Sequence, residues 1–466
     1  MSEQNYDVTI IGAGPGGYVA AIRAAQLGLK VALVEKEHLG GVCLNWGCIP
    51  TKSLLRNSEV ISLLGRGREF GFNIEGLEVD FGAAVDRSRK VSQRLVKGVG
   101  VLMRKNGIEV IEGTGALKSS HEVEVELNAG GACLLPTNNI IIATGGRARA
   151  IPGIEVDGER VLTYREAILL RELPDSVIIV GAGPIGMEFA HIWSTYGAEV
   201  TVVEMLPHAL PMEDEEISQE IERAFKRRKV RILTLARVRE IRKAPSRVQA
   251  VVEDEEGERQ VLGAARALVA IGVRPNSEGL GLEKLGVQLE RGNIVVDAQM
   301  RTNAPGIYAI GDVTGKLALA HVASAQGVIA AESIAGAKTT KLNYEAMPRC
   351  TYCQPQAASF GLTEAQAIRQ GYEITVGQFP FRANGKALAG GDYRGFVKLV
   401  ADDASGEILG AHLVGPEVTE LLPELVLAHD WELTPDEIAR SVHAHPTLSE
   451  VLMEAAHEVF GHAIHI

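Results

Sequence analysis

Two copies of one short pattern lie 169 positions apart and leave this chain few folds to choose from. The first copy runs from the β-branched stretch Tyr6–Ile11 into Gly12-Ala13-Gly14-Pro15-Gly16-Gly17. A helical stretch follows over Tyr18–Leu27, then Gly28 as a C-cap residue, then an apolar run Val31–Val34 that ends in Glu35. The second copy runs Ser176–Val180, Gly181-Ala182-Gly183-Pro184-Ile185-Gly186, Met187–Tyr196, Glu199–Val203 and Glu204. Gly12 and Gly181 are 169 positions apart, and so are Glu35 and Glu204. Strand, Gly-x-Gly-x-x-Gly, helix, strand, acid is the fingerprint of a dinucleotide site. Gly12, Gly14 and Gly17, like Gly181, Gly183 and Gly186, let backbone amides and a helix N-terminus approach a pyrophosphate. The closing carboxylate is placed to accept from ribose hydroxyls. The preserved offset predicts a repeated α/β unit and two nucleotides on one chain.

Just after the first unit comes Gly40-Gly41-Val42-Cys43-Leu44-Asn45-Trp46-Gly47-Cys48-Ile49-Pro50-Thr51-Lys52. A regular helix rises about 1.5 Å per residue, so Cys43 and Cys48 would stand about 7.5 Å apart along its axis. A disulfide wants its Cα atoms within about 6.8 Å. The two can bridge only if the segment is distorted, and Gly47 and Pro50 supply the irregularity. The alternative is two cysteines that never meet and pack as small hydrophobes. The five cysteines (Cys43, Cys48, Cys133, Cys350 and Cys353) are too few for a disulfide scaffold. In a reducing compartment a bridged pair is catalytic rather than structural. Two nucleotides beside such a pair imply an electron relay between cofactors.

With 466 residues the chain has room for about three domains. Its 46% apolar and 23% charged residues are those of a soluble globular protein. The net charge of −12 argues against nucleic acid and acidic membranes as partners. No run approaches the ~18 apolar residues of a membrane helix. The start, Met1-Ser2-Glu3-Gln4-Asn5-Tyr6-Asp7, has neither the basic region nor the apolar core of a signal peptide, so a cytoplasmic location is expected.

Further along, Ile140–Gly146 reads as a strand running into a glycine turn, and Leu268–Asn276 looks like its counterpart after the second unit. Crossovers between domains are expected close to each. A strand at Gly306–Ile310 leads to Gly311-Asp312, whose carboxylate serves a ligand or merely a turn. From about Met347 the character changes. Strands are predicted at Glu373–Phe381, Gly395–Ala401 and Ile408–Val414, the last two flanking an Asp402–Gly406 hairpin turn. Helices are predicted at Thr419–His429, Pro435–Val442 and Leu448–Phe460. Strands followed by helices predict an α+β domain. The expected class is therefore α/β: two Rossmann-like dinucleotide-binding domains plus a C-terminal α+β domain.

The two glycine loops, Cys43-Leu44-Asn45-Trp46-Gly47-Cys48-Ile49-Pro50, Ala309-Ile310-Gly311-Asp312 and His443-Ala444-His445-Pro446-Thr447-Leu448-Ser449-Glu450 together resemble the pyridine nucleotide–disulfide oxidoreductases, and within them the dihydrolipoamide dehydrogenases. The resemblance covers essentially the full length. It implies FAD on the first unit, NAD on the second, and segments 1–146 (FAD-binding), 147–273 (NAD-binding), 274–345 (central, completing the FAD site) and 346–466 (dimerisation). It implies that Cys48 lies against the flavin as a charge-transfer thiolate and that Cys43 is the thiol exchanging with substrate. Lys52 would sit near the flavin and pair with Glu188. Asp312 would hold the ribityl chain, with Ala318, Leu319, Ala320 and His321 lining the flavin. Gly115, Thr144, Gly145 and Gly146 would complete the FAD contacts, and Val238 and Gly272 would join the second loop, Glu188 and Glu204 around NAD.

The implied reaction is oxidation of dihydrolipoamide to lipoamide, with electrons passing through the cysteine pair and FAD to NAD. His445 would be the base, since an imidazole titrates near working pH, and Glu450 would orient it. Thr447-Leu448-Ser449-Glu450 also fits a helix capping box, so Glu450 is a cap or a catalytic partner by spacing, and the resemblance favours the partner. His443 is expected to be a packed histidine. The resemblance implies a homodimer in which His445 serves the other chain's Cys43; the stripe Leu448, Val451, Leu452, Ala455 and Val459 is available for the interface or for the domain's own core. No lipoyl-carrying domain precedes Tyr6, so lipoyl groups would arrive on partners, from a 2-oxoacid dehydrogenase complex or a glycine cleavage system.

Glu204 would repel a 2′-phosphate, and Met205–Met212 contains no Arg or Lys to receive one, so NAD is expected over NADP. The same point weighs against a glutathione reductase. The tail Gly461–Ile466 lacks the terminal cysteine pair of a mercuric reductase. A flavin-binding structural subunit would not need Cys43, Cys48, His445 and Glu450. Two departures stand out. Pro184 occupies a position where relatives carry a larger gating side chain. Cys350-Thr351-Tyr352-Cys353 has CxxC spacing without the further ligands a tetrahedral zinc needs, so packing is expected and no metal.

Overall fold

The computed structural model describes residues 5–466; the reading of the first four residues as free of a leader lies outside them. The chain divides into two compact units. Unit 1 comprises Met1–Ser53, Ala83–Arg149 and Gly272–Tyr344, and unit 2 comprises Leu54–Gly82, Ala150–Ile271 and Glu345–Ile466.

In unit 1, β1 (Tyr6–Ile11) is followed by α1 (Pro15–Gln26) and β2 (Val31–Glu35). Next come the short α2 (Gly41–Asn45), α3 (Cys48–Gly65) and α4 (Phe81–Lys105), then β3 (Glu109–Ser119), β4 (Glu122–Leu127) and β5 (Ala132–Ile142). β3, β2, β1, β5 and the strand Ile307–Ala309 pair in that order, all parallel. The far halves of β3 and β5 leave this sheet and pair antiparallel through β4. The central strands are buried on both faces: Val8, Ile10, Leu33, Ile140, Ile141 and Ile142 are fully inaccessible. That is why Val31–Val34 of β2 and Ile140–Ile142 at the end of β5 read as unbroken apolar runs rather than alternating ones.

Unit 2 repeats the plan. Arg231–Leu233, Glu199–Val203, Ser176–Val180, Arg266–Val269 and Val161–Leu162 form a five-stranded parallel sheet in that order. Arg237–Lys243, Val248–Glu253 and Arg259–Ala264 make the antiparallel excursion. Both glycine-loop helices begin earlier than the apolar pattern indicates, at Pro15 and Pro184 rather than Tyr18 and Met187. Proline suits the first helical position because its missing N–H has no intrahelical partner there anyway. The predicted run Leu268–Asn276 is two strands, Arg266–Val269 and Val273–Pro275, because Gly272 at φ +96° turns the chain between them.

The C-terminal part is a five-stranded antiparallel sheet, in spatial order Arg349–Thr351, Gln356–Gly361, Ile408–Gly415, Phe396–Asp402 and Ile374–Pro380. Helices Val418–Asp430, Pro435–Arg440 and Glu450–Glu458 accompany it. Val451, Leu452 and Ala455 of the last helix are fully buried with Phe360, Phe379 and Leu399, and Leu448 and Val459 pack around them. The apolar stripe on this helix is therefore the domain's own core, not a surface awaiting a partner. At about 1.5–3 kcal/mol per fully buried aliphatic side chain, it anchors the helix that begins at Glu450. Among the described residues no helix is long and apolar enough to cross a membrane.

Candidate active site

The two glycine loops match atom for atom. Gly12 has φ +103°, and a Cβ there would stand 2.3 Å from the Ala143 carbonyl oxygen; at Gly17 it would stand 1.8 Å from the Gly12 oxygen. Gly181 has φ +106°, with Ala270 O at 2.6 Å, and Gly186 meets Gly181 O at 2.0 Å. The middle glycines differ: nothing lies within 4 Å of a Cβ at Gly14 or Gly183. The outer glycines serve the protein's own turn, and the middle ones keep open the face a pyrophosphate would approach. The acids match as well. Glu35 accepts from Ala13 N at 2.7 Å through Oε2 and from Glu37 N at 2.8 Å through Oε1. Glu204 accepts from Ala182 N at 2.7 Å and from Leu206 N at 2.9 Å through the same two oxygens. Each carboxylate is thus aimed by the loop it closes, with lone pairs remaining for ribose. Both cradles fit a dinucleotide.

Around the first cradle, Asp312 lies on the 3-10 turn Gly311–Thr314, and burial pushes its carboxyl up to about 6. A Cβ at Gly146 would meet Asp312 at 3.3 Å, so that glycine makes room for the aspartate. Gly145 has φ +68°. Thr144 donates through Oγ1 to Asn276 O at 2.7 Å, and Asn276 Nδ2 donates to Thr144 O at 2.9 Å. Gly115 in β3 sits where a Cβ would press on Ile11 and Val34 at 3.3 Å. Leu319 precedes the helix Ala320–Ile334, with Ala318 and His321 exposed at its start. Gly311 N donates to the buried Gln326 Oε1 at 2.6 Å. Asn276 and Gln326 were not singled out from the sequence; nothing local marks a side chain whose partner is 15 or 132 residues away.

The cysteine segment is distorted, as a bridge between Cys43 and Cys48 would require. α2 ends at Asn45 and α3 starts at Cys48. Trp46 N and Gly47 N both donate to Val42 O at 2.8 Å, which folds the link back under the helix that carries Cys43. A Cβ at Gly47 would lie 3.2 Å from that oxygen. Cys43 and Cys48 are free cysteines in this structure, and their side chains interact. The neighbouring Cys48 thiol first, then burial and that sulfur's charge, push the Cys43 thiol well above its ordinary range, while the Lys52 ammonium pulls it down and Asp312 adds to the rise. Cys48 begins an 18-residue helix, where the dipole favours a thiolate. The segment is braced from α4: Arg89 donates through Nη1 to Asn45 O, and Arg87 to Ser53 Oγ at 2.8 Å. Asn45 in turn donates to Leu39 O and Gly41 O. These arginines are a further pair that sequence reasoning missed.

In unit 2, His445 Nδ1 lies 2.8 Å from Glu450 Oε1, and Thr447 N donates to Glu450 Oε2 at 2.8 Å. One carboxylate performs both candidate jobs with separate oxygens. The capping box is only half made: the Thr447 N–H donates to the Glu450 carboxylate, while the Thr447 hydroxyl donates to Ala444 O and Ser449, the residue before the helix, makes no side-chain cap bond. Burial tends to raise the Glu450 carboxyl, but the Thr447 N–H and the His445 ring outweigh it and hold it below the usual range. The His445 imidazole is 77% exposed, so its Nε2 edge is open to a reactant. His443 is not simply packed: both its nitrogens have partners, Ser441 O and Glu424 Oε1. Glu188 is buried and accepts from Tyr352 N at 2.9 Å. Val238 is core, at a bulge in its strand. Cys353 is buried and donates to Pro355 O, and Cys350 packs on the neighbouring core.

Residues 6–327 match the family described as pyridine nucleotide-disulphide oxidoreductase, and residues 347–456 match that family's dimerisation domain. The dihydrolipoyl dehydrogenase of Mycobacterium tuberculosis is 54% identical over 463 residues, 99% of each chain. That of Zymomonas mobilis is 48% identical over 462 residues, again 99% of each. The crystal structure of LpdA from Mycobacterium tuberculosis superposes with a TM-score of 0.90 at 30% identity, covering 96% of this chain and 98% of that one. The HOCl-induced flavoprotein disulfide reductase RclA from Escherichia coli gives 0.84 at 29%, with the same coverage. Two matched nucleotide cradles, a cysteine pair in contact and full-length relatives converge, and the chain belongs to the pyridine nucleotide-disulphide oxidoreductase family.

Proposed function

We propose a division of labour for the residues of this FAD- and NAD-using dihydrolipoyl dehydrogenase. The observation that carries it is the Cys43–Cys48 contact at the start of α3. In the disulfide form, His445 takes the proton of one substrate thiol, and the thiolate attacks Cys43 Sγ; exchange requires thiolate, not thiol. The Cys43–Cys48 bond breaks and leaves Cys48 as thiolate at the helix N-terminus. The second substrate thiol attacks the substrate sulfur bound to Cys43, the bond to Cys43 breaks, and the attacking thiol's proton passes to the departing Cys43 sulfur. Lipoamide leaves with a ring disulfide, and two electrons remain on the cysteine pair. FAD held on the first cradle would supply the two-electron redox chemistry that links this pair to NAD⁺ on the second. Glu450 fixes His445 through Nδ1, so Nε2 is the proton-transfer atom.

Gly12, Gly14, Gly17, Glu35, Gly115, Thr144–Gly146, Asp312 and Ala318–His321 hold FAD, with Lys52 and Glu188 near its reactive end. Gly181, Gly183, Gly186, Glu204, Val238 and Gly272 hold NAD. Segments 1–146, 147–273, 274–345 and 346–466 are the functional divisions. The active form is a homodimer in which His445 of one chain serves Cys43 of the other, and the substrate arrives on lipoyl-bearing proteins of a 2-oxoacid dehydrogenase complex or glycine cleavage system.

Complementation tests the reading. Cys43→Ser and His445→Gln chains are inactive alone in NAD reduction by dihydrolipoamide. Unfolded and refolded together, a mixed dimer holds one intact site and regains activity. Heterodimers that form without activity would place the site within one chain.

A further inference from the structure

The loop that carries His445 holds a second imidazole in a tighter setting. His443 Nε2 lies 2.9 Å from Glu424 Oε1 on the helix Val418–Asp430, and Nδ1 lies 2.8 Å from Ser441 O. Its side chain is 7% exposed. A carboxylate and a carbonyl can only accept, so both ring nitrogens must donate, and an imidazole donates from both only as the cation. The charged groups that face it are Glu424 and, from the last helix, Glu450, whose carboxylate senses its charge. Carboxylate and imidazole therefore alternate from one helix across the loop to the next: Glu424, His443, Glu450, His445.

We propose that His443 is a positioning residue for the reaction: held as a cation by Glu424 and Ser441, it offsets the negative charge of Glu450 and so limits how firmly His445 keeps a proton. This rests on the reading of His445 as the base. A base that holds its proton too firmly is blocked at working pH, and one left without a carboxylate is misoriented. A cation behind Glu450 lets that carboxylate orient the ring without over-stabilising imidazolium.

The sign follows. Removing a nearby positive charge favours the protonated form of His445. The acid limb of the pH profile of kcat/KM, which reports the free enzyme's base, moves to higher pH. The test uses the FAD-loaded dimer with dihydrolipoamide and NAD. His443→Gln keeps a donor for Glu424, and His443→Asn keeps one for Ser441; whichever folds with a full FAD complement decides. The expected result is an upward move of about half a pH unit, reversed in His443→Arg, which restores the charge. A move below about 0.3 pH unit in the folded variant, or an equal move in His443→Arg, overturns the proposal. His445→Gln separates the two readings. If it keeps turning over, the base assignment falls. If it is inactive while His443→Gln leaves the limb in place, only the positioning role falls.

Discussion

Glu450 holds His445 through one oxygen and the backbone N–H of Thr447 through the other, each at 2.8 Å. The acid–base loop and the start of the last helix are therefore fastened at one carboxylate. Glu450→Gln keeps an oxygen for Thr447 and loses the charge beside the ring. Turnover with dihydrolipoamide should fall about 10- to 100-fold, less than the ~10²–10⁴-fold expected for loss of the base itself. The melting temperature should change little. Steady-state kinetics and a thermal melt check both halves, and an unchanged kcat would remove Glu450 from the mechanism.

The glycines of the first loop should separate into two kinds. Gly17→Ala sets a methyl 1.8 Å from the Gly12 oxygen and should give no folded protein. Gly14→Ala meets nothing in the protein, so it should fold normally. Its methyl occupies the face a pyrophosphate approaches, and FAD should bind at least about tenfold more weakly, about 1.4 kcal/mol. Equilibrium dialysis of FAD decides; wild-type affinity in Gly14→Ala would relocate the cofactor.

Cys43 is held protonated chiefly by the neighbouring Cys48 thiol. Cys48→Ser takes away the neighbouring sulfur and its charge, so the Cys43 thiol becomes more acidic and more of it is thiolate at pH 8. Only the thiolate alkylates. The rate of Cys43 modification by iodoacetamide, followed by peptide mass spectrometry on reduced protein, should rise about tenfold, one pKa unit's worth. A rate equal to or below wild type would show that the pair does not share a proton as described.

Glu204 is buried and anchored by Ala182 and Leu206, so its carboxylate cannot swing away from a 2′-phosphate. The kcat/KM for NAD should exceed that for NADP by at least about 100-fold, the cost of roughly 2.7 kcal/mol of repulsion and lost ribose bonding. Comparable values would show that the phosphate bypasses this acid.

Lys398 is buried, with Asp214 at 3.2 Å, Glu216 at 2.7 Å and Glu364 at 2.6 Å. Burial alone would lower its pKa, but the bonds to Glu216 and Glu364 and the charge of Asp214 outweigh that and raise it. A lysine raised on folding contributes fully below its unfolded pKa of about 10.4 and loses the contribution as pH climbs through the folded value. Lys398→Met should destabilise by about 3 kcal/mol, evenly from pH 6 to 9, with the gap narrowing only above about pH 10.5. Denaturant melts across that range test it. A gap under about 0.5 kcal/mol at pH 7 would mean the carboxylates find other partners.

What the sequence determined by itself follows from local chemistry. A glycine required by a positive φ or a close backbone approach must be glycine wherever the loop recurs, so both cradles and their spacing were legible before any fold was known. The five-residue spacing likewise showed that Cys43 and Cys48 could bridge only across a distorted segment, and the helix does break between Asn45 and Cys48. Only the tertiary structure decided which face of the last helix is covered, since an apolar stripe looks the same whether it meets its own sheet or another chain. Only it joined Asn276 to Thr144, Arg89 to Asn45, and Glu424 to His443. Those bonds link residues far apart along the chain, and a polar side chain's partner is set by where the backbone brings it, which no local pattern encodes.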